Sequence, residues 1–371
     1  MELHGPRPMG GDPSGGWGNN RMSAASNETQ RAERPGEQPR ARPDTGRLRW
    51  PLSAQMTDWA RTEPSYWADT APLERPGVPL TEEVRVDVAI IGGGFTGLST
   101  ALSLSRDYNV SCAVLEGGEV GWGSSGRNGG LVMLDCTKLS LHEMFQRVGV
   151  SDTAKYFASQ VEAVRLVQAT IAEEAIDCDV VLEHGLTAAT SPKRLESLRS
   201  EAALLRGTLG IDAQILNAQE LQERFVDSPA LHGALSVGPG MVLHPLKLAI
   251  GLARAVERRG ADLYVNAPIL AWEQDGGDHV LHSRHGRVRA RWVTLATNGF
   301  TPDRLHSSFD GRMAPVISNI GVTRVLTRDE LAAHNLQSFA PMIDDRHLLR
   351  YFRLLPDGRL LLGMRGRDTG S

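Results

Sequence analysis

The sequence lacks three things: an excess of positive charge, paired cysteines and long apolar runs. The net charge of −4 and the share of 23% charged residues argue against a nucleic-acid partner. Cys112, Cys136 and Cys178 are odd in number and have no C-x-x-C spacing, so they indicate neither a disulfide framework nor a zinc site. Because no apolar run reaches the roughly 18 residues of a membrane span and no apolar leader opens the chain, we expect a cytoplasmic protein.

The start of the chain differs in composition from the rest. Residues 1–50 are rich in glycine, proline and arginine and contain almost no branched apolar side chains. Such a stretch buries too little apolar surface to offset its ordering entropy. We therefore predict a disordered extension over residues 1–55, with Met56 as the candidate natural start.

A strand pattern followed by a glycine-rich turn indicates a nucleotide site. Residues 84–97 read Val-Arg-Val-Asp-Val-Ala-Ile-Ile-Gly-Gly-Gly-Phe-Thr-Gly. In a strand–turn–helix of this kind Gly92 allows the tight turn, Gly94 lets a pyrophosphate approach the backbone, and Gly97 lets the helix pack close to the strand. The helix start then turns free N–H groups and a positive dipole end toward the phosphates. The pattern predicts a dinucleotide site.

The residues after the turn favour the same interpretation. Leu98, Ala101 and Leu102 have the spacing of one helix face, and Asn109 tolerates the left-handed conformation that ends a helix. A second apolar run ends in Glu116, roughly 20 residues after the glycines, where the fingerprint places an acid on a ribose hydroxyl. An acid there favours FAD or NAD over NADP. The competing interpretation is an ordinary glycine turn with a surface glutamate.

A second glycine-rich stretch distinguishes between FAD and NAD. Residues 121–130 read Gly-Trp-Gly-Ser-Ser-Gly-Arg-Asn-Gly-Gly. A backbone of this composition lies flat against a large planar ligand, and its N–H and hydroxyl groups can reach a pyrophosphate. A nicotinamide fold usually continues into a crossover helix at this point. The stretch therefore favours FAD over an NAD dehydrogenase; the competing interpretation is a flexible surface loop.

The order of helix and strand patterns predicts two interleaved domains. The α/β character of the first nucleotide-binding unit gives way to a mixed region, and it returns at the helix that His244-Pro245 opens. We predict an α/β fold, a Rossmann-like FAD-binding domain interrupted by a mixed α+β substrate domain. The FAD-binding domain takes residues 56–140 and 238–312, and the substrate domain takes residues 141–237 and 313–371.

Three local patterns give more specific expectations. The periodicity from Leu141 to Ala175 predicts one helix, and the run from Val180 to Thr190 predicts one strand. Residues 313–371 look rich in strands. Within them Pro356-Asp357-Gly358 is a strong turn signal between two apolar runs, and it predicts a β-hairpin.

The chain resembles the D-amino-acid-oxidase-type FAD-dependent oxidoreductases. The likeness is carried by residues 87–99, 115–116 and 121–130, and the Ser-Gly-Arg-Asn-Gly-Gly stretch is most similar to γ-glutamylputrescine oxidoreductases. It covers the chain from Met56 to its end. Further matching segments are Ser65-Tyr66-Trp67-Ala68, Leu295-Ala296-Thr297-Asn298-Gly299, Tyr351-Phe352-Arg353 and Asp357-Gly358-Arg359-Leu360-Leu361.

The resemblance implies FAD as the cofactor and assigns residues to it. The glycine turn holds the pyrophosphate, the acid holds the adenosine ribose, and the second glycine stretch lines the ribityl chain and the flavin ring. Because no histidine or cysteine falls in that stretch, we predict a non-covalent flavin. The implied cofactor-binding residues are Gly92, Gly94, Phe95, Thr96, Gly97, Glu116, Ser124, Ser125, Gly126, Arg127, Asn128, Gly129, Gly130, Val265 (a backbone contact with adenine), Ala296, Thr297 and Gly299.

The resemblance also implies oxidation of a C–N bond in a small-molecule amine or amino acid. A hydride passes from the carbon beside a neutral amine to flavin N5, the imine is hydrolysed, and O₂ reoxidises the flavin to give H₂O₂. We expect a γ-glutamylputrescine-like substrate; the alternatives are sarcosine- or glycine-oxidase-like and D-amino-acid dehydrogenase activities. Because family members continue past the position of Ser371, we also expect a C-terminally truncated chain, and a non-catalytic remnant is the third interpretation.

Two residues are candidates for binding the substrate, and no metal site or catalytic residue is assigned. Asn128 lies beside Arg127 inside the second glycine stretch. Arg353 lies on a strand that faces the substrate in amino-acid-oxidising relatives, where a guanidinium would meet a carboxylate. Two other interpretations stay open: the alignment can also place Leu355 at this position, and Arg353 can be a solvent-facing arginine beside Arg350 and Arg359.

Overall fold

Strands from two separate stretches of the chain form the sheet that carries the nucleotide turn. The structure is a computed structural model, and it describes residues 58–62, 64–134, 139–302, 305–309, 312, 318–346 and 349–365. These residues fall in one unit of the chain, Trp50–Ser371. The predicted disordered extension, Met56, Cys136 and Ser371 lie outside the described residues.

The described residues form the following strands. In chain order they are β1 (Val78–Pro79), β2 (Glu83–Ile91), β3 (Cys112–Leu115), β4 (Leu131–Val132), β5 (Val181–Leu182), β6 (Gly185–Ala188), β7 (Asp212–Asn217), β8 (Gly233–Gly238), β9 (Met241–Val242), β10 (Asp262–Val265), β11 (Ala271–Asp275), β12 (Asp278–His282), β13 (Arg287–Leu295), β14 (Ser318–Val322), β15 (Met342–Asp344), β16 (Arg350–Leu354) and β17 (Leu360–Arg365).

The helices stand between these strands. In chain order they are α1 (Tyr66–Thr70), α2 (Phe95–Tyr108), α3 (Leu141–Glu173), α4 (Pro192–Leu209), α5 (Ala218–Arg224), α6 (Pro245–Arg258) and α7 (Arg328–Ala333), and single 3₁₀ turns form at Ser124–Gly126 and Asn298–Phe300. Within the described ranges, no helix is long and apolar enough to cross a membrane.

The first sheet has seven strands in the order β1-β10-β3-β2-β13-β12-β11. The first five strands in this order, β1, β10, β3, β2 and β13, run parallel to one another. The last two strands, β12 and β11, are antiparallel to their neighbours. Residues 88–91 at the end of β2 and all of β3 are continuous apolar runs, because both faces of the sheet are covered there. Ile90 and Val114 pack with α2 and α6, whereas Ile91 and Leu115 face the other side with Leu305.

The second sheet also has seven strands, in the order β14-β17-β16-β15-β6-β8-β7. It is antiparallel except between β15 and β6. Phe157 of α3 and Leu205 of α4 pack with Leu235 over one face. On the other face Leu221 of α5 packs with Leu186 and Met342. A small third sheet, β4-β9-β5, joins the segments that enter and leave the second sheet.

The two large sheets confirm the predicted α/β fold with an inserted mixed region. The first sheet takes its strands from residues 78–115 and 262–295, and the second takes its strands from residues 185–238 and 318–365. Each sheet is thus assembled from two stretches that alternate along the chain. The exact domain boundaries at 140, 237 and 312 stay a prediction.

Two local expectations need correction. The predicted helix from Leu141 to Ala175 is broken at Gly149, whose φ of 80° interrupts the helical backbone. The predicted strand from Val180 to Thr190 is two short strands, and they join different sheets because β5 pairs with β9 while β6 pairs with β8 and β15. The described part of the region 313–371 is rich in strands, as predicted, and it also contains α7, which Thr327 and Glu330 cap reciprocally.

Candidate functional site

The glycine turn lies between the end of β2 at Ile91 and the start of α2 at Phe95. Gly92 has a φ of +112°, and a Cβ there would lie 2.6 Å from the Ala296 carbonyl oxygen. A Cβ on Gly97 would overlap the carbonyl oxygen of Gly92, so only glycine lets the helix return this close to the strand. At the start of α2, the Phe95 N–H donates to the Ser125 hydroxyl at 2.9 Å, and this bond connects the turn to the second glycine stretch.

Glu116 follows directly after β3 and is 8% exposed. Its Oε2 accepts the Gly93 N–H at 2.6 Å and its Oε1 accepts the Gly118 N–H at 2.9 Å. Burial raises the pKa of this carboxyl, while the backbone N–H groups of Gly118 and Gly93 act in the opposite direction. Each oxygen retains a lone pair beyond the bond it accepts, so the carboxylate can still accept a ribose hydroxyl.

Both features border one open cavity of about 350 Å³. It runs from the glycine turn past the end of β3 to the segment after β13, at the carboxyl ends of the parallel strands, where open α/β sheets bind their ligands. The predicted cofactor-binding residues that line it are Gly92, Gly94, Phe95, Thr96, Glu116, Ser124, Ser125, Ala296 and Thr297. The structure therefore brings together residues from four separate segments of the chain.

These lining residues fit a dinucleotide. The space in front of Gly94 is narrow, since a Cβ there would lie 2.8 Å from Ser125 Oγ. A bare backbone at the start of a 14-residue helix offers N–H donors and the positive dipole end to a pyrophosphate. The buried carboxylate of Glu116 stands at the distance along the chain that a ribose partner requires.

The other predicted cofactor-binding residues are not among the lining residues. Gly126 allows a close approach, because a Cβ there would overlap the Gly121 carbonyl oxygen, much as Gly97 does at the turn. Val265 pairs with Pro79 on the sheet, and Pro268 and Ile269 line the cavity in its place. Gly299 lies in a 3₁₀ turn, and its neighbours Asn298 and Phe300 reach the cavity. The cofactor roles of these glycines and of Val265 stay predictions.

Asn128 and Arg127 make their contacts within the second glycine stretch. The Asn128 amide nitrogen donates to the carbonyls of Ser124 and Ser125 at 3.1 and 3.0 Å, and its oxygen accepts the Gly130 N–H at 2.8 Å. The Arg127 guanidinium lies 4.8 Å from the Trp122 ring centre and donates to the Trp122 carbonyl. Both side chains thus shape this loop, and the substrate role of Asn128 stays a prediction.

Arg353 is buried, so the interpretation as a solvent-facing arginine is wrong. Its side chain joins the second sheet to the glycine stretch: Nη2 donates to the Leu243 carbonyl at 2.7 Å, and the Leu243 N–H donates to the Gly130 carbonyl at 2.9 Å. Residue Arg353 is 3% exposed, and its Nε lacks a hydrogen-bond partner among the described residues. Burial lowers the pKa of this guanidinium to about 10. The substrate role of Arg353 stays a prediction.

Trp67 and His244 complete the surroundings of Arg353. The guanidinium lies 5.4 Å from the Trp67 ring centre, and the Trp67 and His244 rings meet edge to face at 4.6 Å. His244 caps α6, accepting the Lys247 N–H at Nδ1, and its Nε2 lies 3.0 Å from Thr70 Oγ1. Helix entry is therefore the role that the structure shows for His244.

Sequence reasoning missed an aromatic wall on the cavity. Trp59, Trp122 and Phe300 line it, and each ring lies against a glycine: Gly117, Gly118 and Gly123, respectively. The glycines were visible in the sequence, but nothing local indicates that residue 59 reaches them. No cluster of histidine, cysteine and acidic side chains suited to a metal ion is found in the described part of the chain.

The fold and the cavity together define an α/β dinucleotide-binding protein. Residues 87–371 match the DAO family, described as FAD dependent oxidoreductase. This match covers well over half of the chain, and the chain belongs to this family. The protein is an FAD-dependent oxidoreductase.

Individual relatives agree with the family. γ-Glutamylputrescine oxidoreductase of Escherichia coli (strain K12) is 31% identical over 304 residues, which are 81% of this chain and 69% of the relative. Glycine oxidase of Geobacillus kaustophilus (strain HTA426) is 30% identical over 223 residues, 58% of this chain and 55% of the relative. The crystal structure of glycine oxidase from Geobacillus kaustophilus is similar in fold, with a TM-score of 0.57 at 22% identity over 76% of this chain and 73% of that one.

Proposed function

We propose that the protein oxidises the C–N bond of an amine or amino acid, with a γ-glutamylputrescine-like compound as substrate and O₂ as electron acceptor. The observation that carries this proposal is the cavity in which the Gly92 turn, Glu116 and Ser125 meet, in a chain 31% identical to a γ-glutamylputrescine oxidoreductase. The cavity supports a flavin dinucleotide, and the identity supports the substrate class.

The chain's own residues bind and orient the cofactor. The start of α2 and the Gly94 backbone bind the pyrophosphate, and Glu116 accepts a hydrogen bond from the adenosine ribose. The second glycine stretch, whose backbone Asn128 holds by hydrogen bonds, supports the ribityl chain and the flavin ring. Bound FAD would supply the acceptor for a hydride from the carbon beside the amine nitrogen. Loss of the hydride leaves the substrate as an imine, which water hydrolyses to a carbonyl compound and ammonia, or to a carbonyl compound and an amine when the nitrogen carries a substituent, as in sarcosine.

We also propose that Arg353 binds a carboxylate of the substrate. A pKa of about 10 keeps the guanidinium positively charged at neutral pH, and the buried Nε is a donor without a partner among the described residues. A carboxylate accepts such donors readily. The matched variant Arg353→Met keeps the length and apolar packing of the side chain. It should raise KM for γ-glutamylputrescine about tenfold or more and leave KM for N-acetylputrescine, which has no carboxylate, unchanged.

The reaction is tested by anaerobic reduction of the reconstituted protein. FAD-loaded protein is mixed without oxygen with γ-glutamylputrescine, putrescine, glycine, sarcosine or a D-amino acid, and the flavin absorbance at about 450 nm is followed. γ-Glutamylputrescine should bleach the flavin fastest, and admitting O₂ should restore the absorbance and release H₂O₂. A protein that holds FAD but is bleached by none of these compounds would refute the proposal.

A second candidate is a glycine-oxidase-like or sarcosine-oxidase-like activity. The 30% identity to a glycine oxidase over 223 residues favours it. The same reduction experiment decides between the two, because this candidate predicts that glycine or sarcosine bleaches the flavin faster than the γ-glutamyl compound does.

A further inference from the structure

A short segment before α1 brings one aromatic side chain to the cavity. Of the described residues 58–62, only Trp59 is not exposed. The Arg61 N–H donates to the Asp58 carbonyl at 3.0 Å, which closes a turn around Trp59. The Trp122 indole N–H donates to the Arg61 carbonyl at 2.9 Å and holds that turn against the second glycine stretch. We call residues 58–62 the strap.

Trp59 lies close to Glu116, the proposed partner of the adenosine ribose. Its indole ring packs on Gly117, the residue after Glu116, and a Cβ on Gly117 would lie 2.9 Å from the ring. The ring also meets the Trp122 ring edge to face, with centres 4.8 Å apart, and Trp122 meets Phe300 in the same way at 5.4 Å. The three rings form a continuous wall along one side of the cavity.

From this geometry we infer that Trp59 is a cofactor-binding residue that contacts the adenosine half of FAD and slows its release. The inference deepens the proposed function, since it rests on the same cavity. An adenine ring offers an aromatic face to a tryptophan beside it, and stacking of this kind contributes substantially to binding. The strap belongs to no strand of the sheet, and Trp59 lines the cavity. Its contact therefore adds to the affinity for FAD that the residues of the sheet and α2 provide.

The inference is tested with variants of the full chain and two probes, FAD and ADP. ADP carries the adenosine and pyrophosphate but no flavin, so it reports on this end of the site alone. Trp59→Ala should raise the dissociation constants of FAD and ADP by about tenfold and speed FAD release by a similar factor. Trp59→Phe should restore most of the affinity. Trp292→Ala is the matched control, because Trp292 is 65% exposed on β13 and does not line the cavity.

The outcomes separate this inference from the proposed function. Wild-type protein that binds FAD, with unchanged affinity in Trp59→Ala, overturns only the role of Trp59. Tighter binding by Trp59→Ala also overturns it, since the ring would then occupy the place of the base. Wild-type protein that binds neither probe overturns both proposals. If Trp59→Ala does not fold, Trp59→Leu keeps apolar contact with Gly117 and Trp122 and takes its place, with the same expected loss.

Discussion

The α-carbon of Gly97 faces the carbonyl oxygen of Gly92 so closely that a methyl group on Gly97 would overlap that oxygen. The contact fixes the first turn of α2 directly against the end of β2. It therefore sets where the free N–H groups of the helix point, and with them the place of the pyrophosphate.

The first prediction follows from this contact. Gly97→Ala should lower the free energy of unfolding by about 1–3 kcal/mol, because the helix must move away from the strand. It should also abolish or strongly weaken FAD binding. Urea unfolding and a flavin titration measure the two effects. The control is Gly207→Ala in α4, where a Cβ meets nothing within 4 Å; there we expect a gain of about 0.5 kcal/mol.

The second prediction concerns Glu116. The amide in Glu116→Gln keeps the size of the side chain, but its NH₂ group faces an N–H donor of Gly93 or Gly118. Losing one charged acceptor should raise the dissociation constant of FAD about tenfold. Glu119→Gln is the matched control, since the Glu119 side chain is 51% exposed and lies outside the cavity lining. Equal affinity in Glu116→Gln and wild type would remove Glu116 from the site.

The third prediction is a pH dependence of stability at His244. Burial, with Lys247 nearby, lowers its pKa from 6.5 to about 4 in the folded protein. Between these two values the unfolded chain binds a proton that the folded protein does not, so stability falls as the pH drops through this window. The stability lost through protonation of His244 should be about 3 kcal/mol at a pH of about 4.

The matched variant for this test is His244→Asn, because asparagine is a good N-cap that does not titrate. Urea unfolding at pH values of about 7 and about 4.5 gives the stability change for each protein. The wild type should lose more stability than His244→Asn between these two values. An identical loss in both proteins would mean that His244 does not contribute to the pH dependence.

The fourth prediction concerns a buried carboxylate at the end of α3. The Glu174 side chain is 2% exposed and pairs with Arg259 at 2.9 Å and Arg258 at 3.4 Å at the end of α6. Glu174→Ala should lower the free energy of unfolding by about 2 kcal/mol, because it removes a buried charged acceptor and leaves a gap. The exposed pair of Glu273 with His282 supplies the control: Glu273→Ala should change stability by less than about 0.5 kcal/mol.

Local sequence signals predicted the parts of the fold that depend on backbone conformation. Asn109 ends α2 in the left-handed conformation with a φ of 51°. Pro356-Asp357-Gly358 turns the chain between β16 and β17, with Gly358 at a φ of +81°. Such turns are set by the residues within them, so a single sequence is enough to place them.

Contacts between distant segments could not be predicted in this way. Arg353 lies three residues after the exposed Arg350, and its burial depends on Leu243, Gly130 and Trp67, which lie more than 100 residues away. Trp59 likewise meets Gly117 through a long-range contact that no periodicity encodes. The glycines were visible as a pattern, but the side chains that fill the space beside them were not.

The most direct test of the account is a titration of the purified full chain with FAD. Binding is followed by the flavin fluorescence and by the retained absorbance at about 450 nm, with NAD as the comparison ligand. We predict one FAD per chain, little affinity for NAD, and loss of FAD binding in Gly97→Ala but not in Gly207→Ala. Failure of the wild type to bind FAD, or equal binding by Gly97→Ala, would contradict the assignment of this cavity.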